Sequence, residues 1–449
     1  MSKKSLNRLF VTGLLVFGTA VLTEAQTIHT LTIQDALDLA KKNNIQVKAA
    51  LTNLALQEQT NKAFTAEALP SIYGTGSTTA YLQVPVSLIP ADLVPGGVHG
   101  EFVALPFQPK YIASGGIQLN QKLFDGAVFV GLKARTTALD YYKKAIDLTI
   151  ENLSVTVYKT YYSLVVSKTQ LELLDANIAR AEKFLHDTKV MNENGFAEKL
   201  DVDKANVQLA NLQTSRQNTE TNIVNAYSGL KFLIGIPAVD SIIVAKDFDK
   251  AQLKGGIPMD LQYHYEDRND YQSLQISKQL GDYDIRRYQA VYYPTLNLNA
   301  AYQKNAGSNN YNFLNHNGTW YTSSYVGLSI NVPIFSGFSK NANLQKARLQ
   351  SALISDQLDN LKQNIDYEVR VSRNNFINAV KVMDNQQDNS QLAESVYNQT
   401  KKKYESGLAS STDLTNAQTD LIQAQTNYIN ALYNAVVAKV DYLKAIGKI

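Results

Sequence analysis

The longest regular signal in this chain is a heptad of apolar positions. No proline interrupts Ala127 to Val190, and one position recurs as Ile150, Val157, Leu164, Leu171, Ile178 and Leu185. Its partner position reads Leu153, Thr160, Ser167, Leu174, Ala181 and Thr188. Two such sets form a stripe along one side of a helix, the pattern of a coiled seam. At about 1.5 Å per residue the helix runs roughly 95 Å, well beyond the width of a globular domain. Asn341 to Lys403 predicts a second long helix, more weakly patterned and rich in Gln and Asn.

Each long helix is expected to turn back at a tip. In YESGLASSTDLTNA, Tyr404 to Ala417, Gly407 stops one helix and Ser410 to Asp413 offers groups to cap the next. The stretch NGFAEKLDVDKA repeats this design, with Gly195 six residues before Asp201 as Gly407 is six before Asp413. The offset of 212 persists through Ala205/Ala417, Leu209/Leu421, Asn222/Asn434, Ala226/Ala438 and Gly235/Gly447. One helical hairpin has been duplicated. Beyond the tips the seams continue through Val202, Ala205, Leu209 and Leu212, and through Leu414, Ala417, Leu421 and Ala424. Alanine at one core position requires close helix pairs.

A different period precedes each hairpin. Thr32 can cap a helix, and Ile33, Ala36, Leu37, Ala40, Val47, Leu51 and Leu54 keep helical spacing, which predicts one opening helix of about nine turns before Pro70. Then Ile72, Gly74, Gly76 and Thr78 alternate with Tyr73, Thr75 and Ser77, the period of a strand. Strands are expected near 70–84, 111–124, 294–305 and 320–335. Pro85 to Pro109 carries five prolines and is expected to be loop throughout; the connection in the second copy is 13 residues shorter. Each strand is near the length that crosses a bilayer at a tilt, although a soluble sandwich edge would alternate in the same way.

Composition narrows the choice. Only 18% of residues are charged and the net charge is +3, with the basic residues dispersed, which speaks against a nucleic-acid partner. Residues 1–25 read as a cleaved export signal, with Lys3, Lys4 and Arg8 ahead of an apolar run from Leu9 to Leu22 and a small-residue site at Ala25. The chain has no cysteine, so it has no disulfide, no thiolate metal site and no anchor through an N-terminal cysteine. Four strands cannot close a barrel, so a membrane reading requires several chains to share one. Residues 26–236 form the first repeat, 237–258 a linker and 259–449 the second. The five histidines are scattered, and Gly74-Thr75-Gly76 belongs to a strand rather than a phosphate loop. No enzymatic activity, metal or cofactor is expected.

The order of export signal, LTIQDALDLAKKNN, strand pair, long helix, GFAEKLDV, second strand pair, second long helix and YESGLASSTDLTNAQ resembles the TolC family of outer-membrane efflux proteins, over essentially the whole mature chain. The resemblance implies a mainly α fold with a transmembrane β part: a homotrimer whose twelve-stranded barrel sits in outer-membrane lipid and continues into a periplasmic α-helical barrel. It implies a periplasmic adaptor and an inner-membrane pump as partners, with drugs, other small toxic molecules or proteins as cargo and the tip turns at Gly195 and Gly407 as docking points. Residue by residue, Asp413 falls on the family's aperture aspartate, and Tyr404 and Asp201 fall on a pair that ties the inner coil shut. The chain departs from the family's best-studied type at Asn416, where that type has a second aspartate, and at Ala409, where it has an arginine.

Three alternatives remain at this point. Asp201 and Asp413 could be plain helix caps. A surface adhesin or fibrous coiled coil would explain the heptads but not the paired strands. A porin would explain the strands but not the helices. In the duct reading the loops near Gly96 and Asn315 face the outside of the cell and both tips lie in the periplasm.

Overall fold

The duplication dictates the order of elements. In the computed structural model, which describes residues 28–245, 263–311 and 318–449, the first copy runs β1 (Ile28–Leu31), α1 (Ile33–Asn43), α2 (Ile45–Ala66), β2 (Ser71–Ala80), β3 (Ser87–Pro90), β4 (Phe102–Leu105), β5 (Tyr111–Phe124), α3 (Gly126–Glu193) and α4 (Lys199–Ile234). After β6 (Ser241–Val244) the second copy runs α5 (Asn269–Ala290), β7 (Thr295–Ser308), β8 (Tyr321–Asn331), α6 (Ser339–Glu405) and α7 (Ser411–Ala445). The export signal, Asn315 and most of the 237–258 linker lie outside the described residues.

The long helices α3 and α6 span 68 and 67 residues, close to their expected bounds. Their seam is the expected one, since Leu153, Val157, Leu164, Leu174, Ala181 and Leu185 are all buried. Close pairing through small residues follows on the return helices, where Ala205, Ala417, Ala431, Ala435 and Ala445 are buried. Arg216 stands on a seam position and reaches out of it, with its Nε 2.6 Å from Asp175 Oδ1 on α3.

The four predicted strands form one antiparallel sheet in the order β2-β5-β7-β8, so β2 and β8 are free edges. Across it Ile72, Leu119, Ala300 and Val326 lie opposite one another in a single row. The neighbouring row is Tyr73, Gln118, Ala301 and Tyr325. The first face is apolar; the second carries hydrogen bonds from Asn120 Nδ2 to Tyr73 Oη at 2.9 Å and from Asn299 Nδ2 to Ser329 Oγ at 3.1 Å. Such a sheet separates hydrocarbon from water.

Four sequence expectations need correction. The opening helix is two helices broken at Asn44, whose Nδ2 donates to Leu233 O at 2.8 Å while its Oδ1 accepts from Gln46 N–H at 2.8 Å. An asparagine that can satisfy the backbone in this way competes with helix continuation. Pro85–Pro109 is not all loop, because β3 and β4 pair within it. α5 was not foreseen; it packs between α3 and α6, and its polar sequence buries only Tyr271 and Ala290. Nor was the parallel pair β1–β6, two four-residue strands brought together by packing at long range.

All of these corrections except the β3–β4 pair meet at the helical waist, where the two copies use different chemistry in equivalent places. Gly235 and Gly447 hold φ of 67° and 70° at helix ends, the left-handed region that glycine permits. A Cβ at Gly235 would lie 2.7 Å from the Asn43 carbonyl carbon, and one at Gly447 would lie 2.6 Å from the Asp267 carbonyl oxygen. Asn44 and Arg268 come next in the chain. Asn44 holds the Leu233 carbonyl, and Arg268 Nη1 donates to the equivalent Ala445 carbonyl at 3.1 Å. The guanidinium is buried and also pairs with Asp270 at 2.6 Å and Glu368 at 2.9 Å. Beside it Asp366 Oδ1 accepts from Tyr263 and Tyr265 at 2.5 and 2.8 Å. Those bonds hold the Asp366 carboxyl below its usual range, while burial first, then the bond to Asp366, pushes Tyr263 up to about 12.

Arg268→Ala is expected to destabilise the purified protein by about 3 kcal/mol, because it removes a buried guanidinium together with its bonds to Asp270, Glu368 and the Ala445 carbonyl. Asn44→Ala is expected to cost only about 1–2 kcal/mol, as a lost cap and one buried bond. Heat-induced loss of helical circular dichroism in detergent ranks the two; equal costs would contradict the account.

Candidate functional site at the helical tips

Both tips are built from one backbone motif. At the first, Gly195 has φ 79°, its N–H donates to Asn192 O at 3.0 Å, and Phe196 N–H donates to Met191 O at 2.8 Å. At the second, Gly407 has φ 74°, its N–H donates to Tyr404 O at 2.9 Å, and Leu408 N–H donates to Lys403 O at 2.8 Å. This is the paired-bond helix stop that needs a left-handed residue. The apolar residue that follows is 80% exposed at Phe196 and 79% at Leu408.

The return helices begin differently. Ser410 and Asp413 form a capping box on α7: the Ser410 N–H and hydroxyl donate to Asp413 Oδ2 at 2.9 and 2.7 Å, and Asp413 N–H donates to Ser410 Oγ at 3.1 Å. The hydroxyl, then the backbone N–H, holds the Asp413 carboxyl below its usual range. Asp201 occupies the same third position of α4, but the residue ahead of its helix is Glu198, which makes no side-chain cap. The capping alternative therefore describes Asp413 and not Asp201. Asn416, one turn beyond Asp413, is exposed and adds no charge.

Tyr404, at the end of α6, is packed onto the first tip. Its ring meets Phe184 edge-on at 6.0 Å, and its hydroxyl donates to Met191 Sδ at 3.5 Å. Burial raises its pKa, a side-chain hydrogen bond with Thr188 opposes this, and the charges of Asp201 and Asp187 add to the rise. Tyr404 and Asp201 are therefore neighbours, but the bond expected between them is not made. A helix cap at residue 198 that held Asp201 was absent from the sequence, while Met191 lies one turn beyond Asp187 and so faces the incoming phenol.

The interface between the hairpins is incompletely satisfied. Gln418 is 1% exposed and its Nε2 has no partner among the described residues; the same holds for Oε1 and Nε2 of Gln208. A groove of about 580 Å³ opens between α4 and α7, lined by Leu200, Val207 and Asn211 on one side and Thr415, Thr419 and Ile422 on the other. The heptad pattern gave no sign of either glutamine's isolation, because both sit one residue from seam positions.

Among the described residues no helix is long and apolar enough to cross a membrane, and no group of His, Asp and Glu is placed to hold a metal. Two long antiparallel helical pairs beneath a two-faced sheet with free edges are the architecture of a channel-forming protein. The chain belongs to the outer membrane efflux protein family, whose model matches residues 36–236 and 265–448. It is 23% identical to the toluene efflux pump outer membrane protein TtgC of Pseudomonas putida, across 94% of this chain and 84% of that one. Among solved structures, CusC superposes with a TM-score of 0.74 at 15% identity, covering 92% of this chain and 91% of that one. The outer membrane protein VceC of Vibrio cholerae superposes with a TM-score of 0.72 at 16% identity, covering 92% and 96%. The chain is thus an outer-membrane channel that reaches into the periplasm.

Tyr404→Phe is expected to change stability by less than about 0.5 kcal/mol, since a thioether is a weak acceptor, whereas Tyr404→Ala should cost about 3 kcal/mol in lost packing. Gln418→Leu should stabilise by about 1 kcal/mol by removing an unpaired buried amide. Thermal unfolding of the three purified variants tests all of this; a destabilised Gln418→Leu would show that the amide has a partner.

Proposed function

We propose that three copies of this chain form one duct, an exit channel that receives cargo from an inner-membrane pump through a periplasmic adaptor. The observation that carries this reading is the four-stranded sheet with free edges at β2 and β8. Unpaired backbone in hydrocarbon costs several kcal/mol per group, and pairing β8 of one copy with β2 of the next satisfies both edges and closes twelve strands. The helical layer below supports the same operation. Its outermost helices, α2 and α6, carry exposed Leu51 and Leu56 and exposed Leu349 and Leu353, respectively. A neighbouring copy would cover them.

The adaptor is assigned to the tips, where Gly195 and Gly407 fix the turns and Phe196 and Leu408 stand out from them. Relatives of the chain include proteins named for toluene efflux and for protease secretion. A wide water-filled duct serves drugs, other small toxic molecules or proteins alike, with selection made by the pump.

The aperture is assigned to Asp413, with Tyr404 and Asp201 at the joint between inner and outer hairpins. Threefold symmetry turns one Asp413 into a ring of three carboxylates, and rings of like charge favour cations. Asn416 leaves this ring single, and Tyr404 joins the hairpins by packing rather than by a bond to Asp201. A carboxyl whose pKa is lowered in the folded state stays ionised at every pH above its ordinary 3.8, and its contribution is lost only as pH falls through the depressed value.

Sizing of detergent-purified protein should give a trimer; a monomer would refute the duct. In planar bilayers, Asp413→Ala should weaken the cation preference and the block by multivalent cations, and acidification of the unsubstituted channel should weaken both as the three carboxylates, which repel one another in the ring, take up protons. Unchanged selectivity and block in Asp413→Ala would place the aperture on other residues.

A further inference from the structure

The two outer connections are equivalent by duplication but opposite in character. The β7–β8 connection is rich in Asn. The β2–β5 connection, residues 82–109, is apolar and contains no Lys or Arg, with Asp92 and Glu101 as its acidic residues. It is also folded. Tyr81 N–H donates to Lys110 O at 2.8 Å, which extends the sheet, and Lys110 N–H donates to Asn309 Oδ1 at 3.1 Å, which ties its base to the other connection. Further out, β3 and β4 pair, Ala91 is buried, and Ala91 N–H donates to Glu101 O at 2.8 Å.

Yet its outward side chains have nothing to pack on. Leu88 is 68% exposed and Phe102 67%, and Val86, Leu93, Val98 and Phe107 are also exposed. An isolated two-stranded hairpin is marginal in water, and a patch of this kind on a soluble surface marks an interaction site. Three occupants could cover it. An anionic lipid surface is disfavoured, because the hairpin offers it carboxylates and no cation. A separate surface protein would need only one exposed copy and would gain nothing from the hairpin's position. A second copy of this chain is favoured, because the hairpin is carried directly on β2, the free edge that meets β8 of the next protomer.

We infer that the three 82–109 hairpins of the trimer converge over the barrel axis and seal its outer mouth through their apolar faces. The inference rests on the trimeric reading. Reach is sufficient: twelve tilted strands spaced about 4.8 Å apart close at a radius of roughly 12 Å, and the four residues of β3 alone advance about 13 Å. An apolar constriction excludes water and ions without any charged group. The duct then has a door at its outer end, independent of the tips, that keeps polar solutes out when no cargo is passing.

The absence of cysteine gives a clean background for the test. Leu93→Cys places a thiol near the end of the hairpin, and oxidation of intact cells should join protomers of the same trimer through it. In a second variant, Gln118→Cys, the thiol stands on the polar face of the sheet, where a bulky polyethylene-glycol maleimide added outside the cell must pass the mouth to reach it. Labelling should be slow, and adding Leu88→Asp with Phe102→Asp should speed it at least about tenfold by wetting the seal. An unboiled gel reports the trimer separately, so its absence would refute the duct itself. An intact trimer with no Leu93→Cys cross-link and unchanged labelling would overturn the seal alone. A cross-link to a different protein would overturn it in favour of a surface partner.

Discussion

Backbone hydrogen bonds that water cannot reach are the constraint on which this molecule depends. A sheet of four strands, apolar on one face and polar on the other, leaves the edges β2 and β8 unsatisfied. In water such edges invite aggregation; in hydrocarbon they cannot persist. Closure by symmetry is the solution that also gives the polar face an interior to line. The requirement then passes down the chain, since strands placed around a ring oblige the helices that continue from them to form a ring as well.

Length and small residues meet that obligation. Helices of 68 and 67 residues carry the ring far from the membrane, and alanines on the return helices let each pair approach closely. Most of the seam is apolar, but near the tips it loosens: Gln208 and Gln418 are left unpaired, and a groove separates α4 from α7. Weak packing near the tips and firm packing at the waist suit a tube whose inner end can change its bore while its middle stays fixed.

The parts that were legible in the sequence are those with a local period. The heptads fixed α3, a weaker pattern marked α6, alternation fixed β2, β5, β7 and β8, and the repeated glycines fixed both tips. The elements that escaped are held by long-range contacts instead. β1 and β6 are four residues each and exist because they pair with one another. α5 has little apolar period and is helical because α3 and α6 enclose it. The break at Asn44 is visible only when the Leu233 carbonyl is placed beside it. At the tip the family resemblance pairs Tyr404 with Asp201; in the structure the charge of Asp201 acts on the phenol, but its hydroxyl donates to Met191, which no local pattern shows. The cap at Ser410 and Asp413 is local and legible in the sequence; the lack of a side-chain cap at Glu198 is what makes the two carboxylates unlike.

Duplication followed by divergence also limits how symmetric the closed ring can be. In the proposed trimer, two repeats in each of three protomers give a tube that looks sixfold in backbone, with the same glycine at each helix end of the waist. The side chains do not share that symmetry, because an amide holds the carbonyl in one repeat and a guanidinium flanked by two carboxylates holds it in the other. Around the circumference, neutral and ionic stations therefore alternate. A partner that wraps the waist meets two distinct surfaces in turn, and six identical copies of it could not all bind in the same way.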